Sequence, residues 1–163
     1  MIPPTMEEFV RQYQRRVYAV IYRMTGRHAE AEDLCQETFL QLFRSLPSVQ
    51  EVSDLDAWVY RIAMNVSTDY LRRRTKEART AERLLARGSP RGTAPDSDPE
   101  LESAVRSALD QLPPDQKAVI VLRMFEGQSH EAISRIQGIP VATVRWRYFA
   151  ARRKLEELLG PYL

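Results

Sequence analysis

At 163 residues the chain can form one domain or two small ones, and 44% apolar residues are enough for packed cores. Lysine and arginine total 24 against 22 aspartates and glutamates, so net charge selects no partner; what matters is that Arg72, Arg73, Arg74 and Lys76 cluster, Asp96, Asp98, Glu100 and Glu102 follow, and Arg145 to Lys154 is basic again. The lone cysteine, Cys35, excludes an intrachain disulfide and a multi-thiolate zinc site, and the longest apolar stretch, VYAVIYRM from Val17, is broken by Arg23 and far too short to span a bilayer.

After an irregular start, MIPPT, the residues Met6, Phe9, Val10, Tyr13, Val17, Val20, Ile21 and Met24 fall on one helical face, with Arg11, Arg15, Arg16 and Arg23 outside it and Gly26 at its end. This helix reads as a wall of a core. In the next segment, HAEAEDLCQETFLQLFRSLP, spacing buries Ala31, Leu34, Cys35, Thr38, Leu42 and Leu46. Asp33, Gln36, Glu37 and Leu40 are left on the opposite surface. An acidic and amide face that also exposes a leucine suits docking, whereas acids in a first turn also suit the helix dipole, and spacing alone does not choose. Paired carboxylates can serve as general acid and base, but no nucleophile or ligand-spaced histidine converges on them.

Pro47 to Ser53 reads as a loop, and Ser53 or Asp54 caps a third helix, DLDAWVYRIAMNVSTDYLRRR. Its buried stripe is Leu55, Trp58, Val59, Ile62, Val66 and Tyr70, with Tyr60, Arg61, Asn65, Thr68 and Arg72 sharing another side. Basic residues interleaved with aromatics and amides suit a single nucleic acid strand, because bases stack on rings while arginines hold the backbone. Thr75 to Arg87 keeps helix formers but offers only Leu84 and Leu85 to bury. Gly88 to Pro99, GSPRGTAPDSDP, is a linker by composition and divides the chain into two domains.

Beyond the linker, a helix opens at Pro99 and Glu100 with Leu101, Val105, Ala108, Leu109 and Leu112 inward. Pro113 and Pro114 stop it and start another, whose core candidates are Val119, Ile120, Leu122, Met124 and Phe125. Ser129 can then cap a short helix with Ile133 and Ile136 inward, Gly138 tolerates positive φ, and Pro140 opens a longer helix: a helix-turn-helix. In that last helix Val141, Val144, Tyr148, Ala151, Leu155 and Leu158 make one apolar stripe, leaving Ala142, Trp146, Phe149 and Arg153 outside, flanked by Arg145 and Arg147. No carboxylate appears before Glu156. A cationic, aromatic helix start of this kind can approach a phosphate-lined major groove. The expected fold class is all-α: two small helical domains joined by a flexible linker, the C-terminal one a four-helix domain with the helix-turn-helix. Boundaries are expected at 1–75, 76–98 for the linker, and 99–163.

AEDLCQETFLQLFRSL, DAWVYRIAMNVSTDYLRRR, and LPPDQKAVIVLRMFEG followed by HEAISRIQGIPVATVRWRYFAARRKL occur in the order seen in extracytoplasmic-function (ECF) sigma factors of the sigma-70 family, which the chain resembles over nearly its whole length apart from the linker. The resemblance implies a non-enzymatic transcription initiation factor that binds core RNA polymerase and directs it to promoter DNA. It implies docking on the beta-prime clamp helices through Asp33, Gln36, Glu37 and Leu40. Melting of the proximal promoter element and hold of its non-template strand would fall to the loop from Ser48 to Asp54 and to the helix from Trp58 to Arg74, with Trp58, Arg61, Asn65, Arg72 and Arg73 as DNA contacts. Reading of the distal element would fall to Thr143, Arg145, Trp146 and Phe149, with Arg147 and Arg152 near phosphates. Trp146 stands where the family usually has a small polar residue, Ala150 where it often has a basic one, and Gln137 where it usually has an aliphatic one. An anti-sigma protein is a further candidate partner; no metal, cofactor, small-molecule substrate or membrane insertion is expected, and the location expected is cytoplasmic, since no secretory signal opens the chain. His130 reads as a packing or phosphate-facing residue.

A stand-alone helix-turn-helix regulator acting without polymerase is the competing reading, and the Asp33 to Leu40 face discriminates the two. An enzyme lacks a nucleophile, metal cluster or phosphate-cradling glycine loop here, and an RNA-binding module fits less well because a major-groove helix suits DNA better than A-form RNA.

Overall fold

The computed structural model describes residues 5–45, 54–81 and 99–162, with side chains of the second segment described through Glu77. These residues form seven α-helices, which we label α1 (Met6–Thr25), α2 (His28–Arg44), α3 (Leu55–Ala81), α4 (Pro99–Asp110), α5 (Pro114–Ile120), α6 (His130–Gln137) and α7 (Val141–Leu159). A π-helical stretch, Val121–Phe125, continues α5, and a short 3-10 turn, Gly160–Tyr162, follows α7. Strands are absent among the described residues, which bears out the all-α expectation.

Local chemistry explains the helix ends. Thr5, expected to be irregular, closes a capping box on α1: its hydroxyl accepts the Glu8 amide while the Glu8 carboxylate accepts the Thr5 amide. Asp54, one of the two expected caps of α3, accepts the Ala57 amide at 3.0 Å, and Ser53 lies outside the described residues. The expected Pro47 to Ser53 loop, Leu46, Leu84, Leu85 and residues 82–98 of the expected 76–98 linker lie outside the described residues. Helix α3 continues to Ala81, six residues beyond the 1–75 boundary expected from sequence.

Helices α1, α2 and α3 pack around Phe9, whose ring meets Tyr13 at 4.9 Å, Trp58 and Phe43 at 6.3 Å and Phe39 at 6.4 Å between centroids. Buried hydroxyls in this core need no external partner, because Thr38, Ser67 and Thr68 donate to the carbonyls of Leu34, Ala63 and Met64 one turn earlier. A second, smaller core joins Ala108 and Leu109 of α4 with Leu112, Ile120, Ala151 and Leu155.

The larger core does not stop at the first three helices. Val119, Val121, Leu122, Ile133, Ile136 and Val144 belong to the same buried cluster as Phe9, Val59 and Met64. Helix α3 therefore lies between α1 and α2 on one side and α5 and α6 on the other, and both faces are covered. This corrects the one-sided stripe expected for α3: Tyr60 and Thr68, assigned to its outer side, are buried, because the second half of the chain covers that side.

Four expected core residues are exposed instead. Met6 extends beyond the bundle in the first turn of α1, and Leu101 does so at the start of α4. Met124 and Phe125 follow from the π-helical stretch, where the Glu126 amide donates five residues back to Val121. The wider turn advances the register by one residue, so positions that a 3.6-residue period would bury rotate outward. Phe125 then lies beneath the Arg23 guanidinium, 4.0 Å from its ring centroid.

Phe9 is fully buried, so Phe9→Ala is expected to cost about 3–5 kcal/mol of stability through lost burial and an incompletely refilled cavity. Urea unfolding followed by circular dichroism measures this, and a change below about 1 kcal/mol would show that the cluster is not the centre of the fold.

Candidate polymerase and nucleic-acid interfaces

The first candidate surface is on α2. Asp33, Gln36, Glu37 and Leu40 are all exposed, while Leu34, Cys35, Thr38 and Phe39 between them are buried. Leu40 keeps 54% of its surface open to solvent although it is large and apolar. Beside it runs a shallow groove between α1 and α2, lined by Val10, Tyr18, Cys35, Phe39, Leu40 and Phe43. Burial pushes the Cys35 thiol up from its ordinary range.

The second surface is on α3, and the structure divides its expected residues. Asn65, Arg72 and Arg73 line one groove with Glu37 and Gln41 of α2. Trp58 is half-buried, its ring edge on Phe9. Arg61 turns to the second half of the chain: its Nε donates to the Ile136 carbonyl at 2.8 Å and its Nη2 to the Arg135 carbonyl at 2.5 Å. Arg72 donates to the Asp115 carboxylate of α5 and sits 3.7 Å from Asp69.

The third surface is the helix-turn-helix. Ser129 caps α6 by accepting the Ala132 amide at 3.0 Å. Gly138 adopts the left-handed conformation, φ 67°, that lets its amide reach the Ser134 carbonyl and lets the chain turn into α7. Pro140 precedes α7, whose first turn carries no acidic residue. Val144, Ala151 and Leu155 face inward, which presents Arg145, Trp146, Phe149 and Arg152 outward, while Thr143 and Arg147 are half-buried. Trp146 and Phe149 are each 65% exposed, among the most solvent-open apolar side chains of the protein. Arg145 pairs with Glu131 at 3.6 Å and Arg152 with Glu156 at 3.2 Å, both on the surface. His130 packs edge-on against Tyr148, with ring centroids 5.2 Å apart, in keeping with a packing role.

Sequence reasoning gave no role to Lys117, which proves to be buried between the two halves. Its ammonium donates to the Met24 carbonyl at the end of α1 and to Asp110 at 3.0 Å, and burial lowers its pKa from the ordinary lysine value. The signal available was its spacing: Lys117 falls three and four residues before Ile120 and Val121, on the inward face. Arg106 also bridges the halves, donating to the Tyr22 hydroxyl at 2.7 Å. Among the described residues no cluster of metal-ligating side chains occurs and no helix is long and apolar enough to cross a membrane.

Among the described residues, helices that expose an acidic and apolar face on α2, an arginine-bearing central helix and a helix-turn-helix make the architecture of a two-part DNA-binding transcription protein. Residues 9–77 match the family described as Sigma-70 region 2, and residues 102–155 match Sigma-70, region 4. The ECF RNA polymerase sigma factor SigE of Mycolicibacterium smegmatis is 37% identical over 98% of this chain, which spans 63% of that relative's length. The ECF RNA polymerase sigma-E factor of Haemophilus influenzae is 35% identical over 94% of this chain and 87% of its own length. In the co-crystal structure of the sigma factor RpoE with the anti-sigma factor NepR from Bartonella quintana, the sigma factor superposes with a TM-score of 0.77 at 26% identity, over 94% of this chain and 96% of that one. The chain belongs to the ECF sigma factors of the sigma-70 family, which are transcription initiation factors of RNA polymerase.

Because the Cys35 thiol is buried and its pKa is raised, its reaction with Ellman's reagent near pH 8 is expected to run at least about tenfold slower in the native protein than in urea. Equal rates in the two states would place the thiol in solvent.

Proposed function

We propose that the two halves divide the work of a sigma factor: residues 1–75 hold core polymerase and the melted strand, residues 99–163 read duplex DNA upstream, and 76–98 join them. The exposed, acid-free start of α7, carrying Arg145, Trp146 and Phe149, is the observation that most supports sequence reading by this chain.

In this reading Asp33, Gln36, Glu37 and Leu40 dock on the beta-prime clamp helices, an apolar anchor ringed by polar groups, which is the usual pattern of a small interface. Trp58, Arg61, Asn65, Arg72 and Arg73 serve the proximal element, the arginines on phosphates and the amide and ring on unstacked bases. Thr143, Arg145, Trp146, Arg147, Phe149 and Arg152 serve the distal element. In the same reading Arg145 binds a guanine edge bidentately and Arg152 holds phosphate. The surface pairs Arg145–Glu131 and Arg152–Glu156 are exposed, so each is worth only about 0–1 kcal/mol and exchanges readily for phosphate or base.

Trp146 gives this chain its own specificity. An indole and the neighbouring Phe149 ring present apolar surface to base edges, and the apolar feature of the major groove is the thymine methyl group. We infer that the distal element carries thymine opposite this pair. An anti-sigma protein is a partner in keeping with the NepR-bound relative, and the cell interior, where polymerase works, is the expected location.

Two experiments test the reading. The double variant Glu37→Arg and Leu40→Asp changes only exposed side chains and is expected to weaken binding to bacterial core polymerase by at least about tenfold, roughly 1.4 kcal/mol or more; unchanged binding together with intact operator binding would favour a stand-alone regulator. Holoenzyme should select thymine at one distal position from a randomised promoter library, and replacing that thymine by uracil, which removes only the methyl, should lower transcription by the wild type but not by Trp146→Ser. Equal sensitivity of the two proteins to uracil would remove Trp146 from base reading.

A further inference from the structure

The end of α1, the middle of α3, helix α4 and the start of α5 bound a cavity of about 370 Å³, near the low end of the roughly 300–1,000 Å³ usual for small-molecule sites. Its cations come from four elements: Arg27 precedes α2, Arg74 lies on α3, Arg106 on α4 and Lys117 on α5. Asp110 is the one carboxylate among the lining residues, and the hydroxyls of Thr25, Thr75, Ser103 and Ser107 belong to the same walls. None of the residues named above as polymerase or DNA contacts lines this cavity.

The four cations are not equivalent. Lys117 is engaged by the Met24 carbonyl and by Asp110 Oδ1. Arg27 and Arg106 lie beside Glu30 and Glu102 at 3.7 and 3.6 Å, longer than the about 2.7–2.9 Å of a good charge-assisted bond. Arg74 differs from all three: its Nη1 donates to the neutral Tyr70 hydroxyl at 3.0 Å, and among the described residues no carboxylate pairs with it. Three cation–carboxylate pairs therefore leave one positive charge over, and Arg74 carries it. That charge is felt across the cavity, because the Lys117 pKa, lowered chiefly by burial, is lowered further by Arg74 against the opposing pull of Asp110. The donors are also fixed before any ligand arrives, Arg74 by Tyr70 and Arg106 by the Tyr22 hydroxyl at 2.7 Å, which reduces the ordering cost of binding.

We propose that this cavity binds a small phosphate monoester of a polyhydroxy compound, a sugar phosphate, with its phosphoryl group on Arg74. A guanidinium fork suits phosphate and carboxylate alike, and the further cations around it favour the more highly charged of the two. Asp110 selects the rest of the ligand. Its Oδ1 accepts Lys117, whereas its Oδ2 has no partner among the described residues and the side chain is 53% exposed. An open carboxylate repels a second phosphoryl group and accepts from hydroxyl donors, so a polyhydroxy body fits beside it and a polyphosphate does not. Ser107, also without a hydrogen-bond partner among the described residues, adds a hydroxyl that both donates and accepts. A concave site walled by several helices suits a small molecule better than an extended DNA strand, which needs a groove. The proposal is independent of the division of work described above. Because its walls come from both halves of the chain, a bound ligand stabilises the packed protein by mass action.

The test titrates the full-length protein calorimetrically with glucose 6-phosphate, ribose 5-phosphate, glucose, inorganic phosphate and pyrophosphate. At least one of the two sugar phosphates is expected to bind with a Kd below about 1 mM and at least about tenfold more tightly than inorganic phosphate or pyrophosphate, while glucose gives no heat. In nuclear magnetic resonance spectra of the isotope-labelled protein the same ligand should shift the amide signals of Gly26, Thr75 and Ser107, and at about a hundredfold over Kd it should raise Tm by several degrees. Arg74→Gln is expected to weaken binding at least about tenfold, and Arg74→Lys, which keeps the charge without the fork, by less. Arg153→Gln, the same change of charge on the exposed surface of α7, should bind as the wild type does. Failure of both sugar phosphates to bind, or amide shifts that miss all three residues, overturns the site on wild-type protein alone, whatever the variants do. Inorganic phosphate or pyrophosphate binding as tightly as the sugar phosphate overturns the ligand class. A single-stranded 20-nucleotide DNA that shifts these amides when neither sugar phosphate does would make the cavity part of the promoter-binding surface instead.

Discussion

The structure depends on α3 being buried from two sides. An amphipathic helix in a three-helix bundle needs one covered face, and the packing of Val59, Ala63, Met64 and Val66 among residues of α1, α2, α5 and α6 gives α3 more than that. The polar groups on its second covered face are then obliged to find partners. Arg61 meets them in the carbonyls at the end of α6, while Ser67 and Thr68 meet them in their own helix. Tyr60, buried and beside Glu126, has its phenol pushed up to about 12 chiefly by burial, so it stays protonated and can donate. From this one constraint follow the continuous core, the position of the helix-turn-helix, and the accessibility of each candidate DNA contact.

Charge is arranged in two classes. Arg145 and Arg152 pair with carboxylates on the open surface of α7 and its neighbour, where water and salt keep such pairs weak and exchangeable. Arg61 donates to main-chain carbonyls between the halves, and Lys117 to one such carbonyl and to the Asp110 carboxylate. Carbonyls cannot be neutralised by protonation, so the Arg61 bonds persist as long as the helices stay in register.

The same contrast bears on Trp146 and Phe149. Nothing in the packing of α7 requires aromatic side chains at these positions, since Val144, Ala151 and Leu155 already fill its inner face. Two large apolar residues left in water beside arginines carry a solvation cost that a groove with methyl groups would relieve. Leu40 on α2 has the same character beside carboxylates and amides.

Most of the fold was legible in the amino-acid order, because its signals are local. Apolar spacing gave α1, α2 and α7; Ser129, Gly138 and Pro140 gave the helix-turn-helix; and the outward direction of Asp33, Gln36, Glu37, Leu40, Trp146 and Phe149 followed from which neighbours must be buried. Spacing failed where its period changed, at the π-helical turn that exposes Met124 and Phe125, and where helix ends outran the core, at Met6 and Leu101. It could not assign a second buried face to α3, nor show that Arg61 and Lys117 close helices in the opposite half, since those acceptors are backbone carbonyls 74, 75 and 93 residues away. A carbonyl is the same at every residue and leaves no trace in composition. Which residues are helical, and which face is apolar, was therefore determined by the chain alone; which cations are engaged within the protein was decided only when the two halves packed.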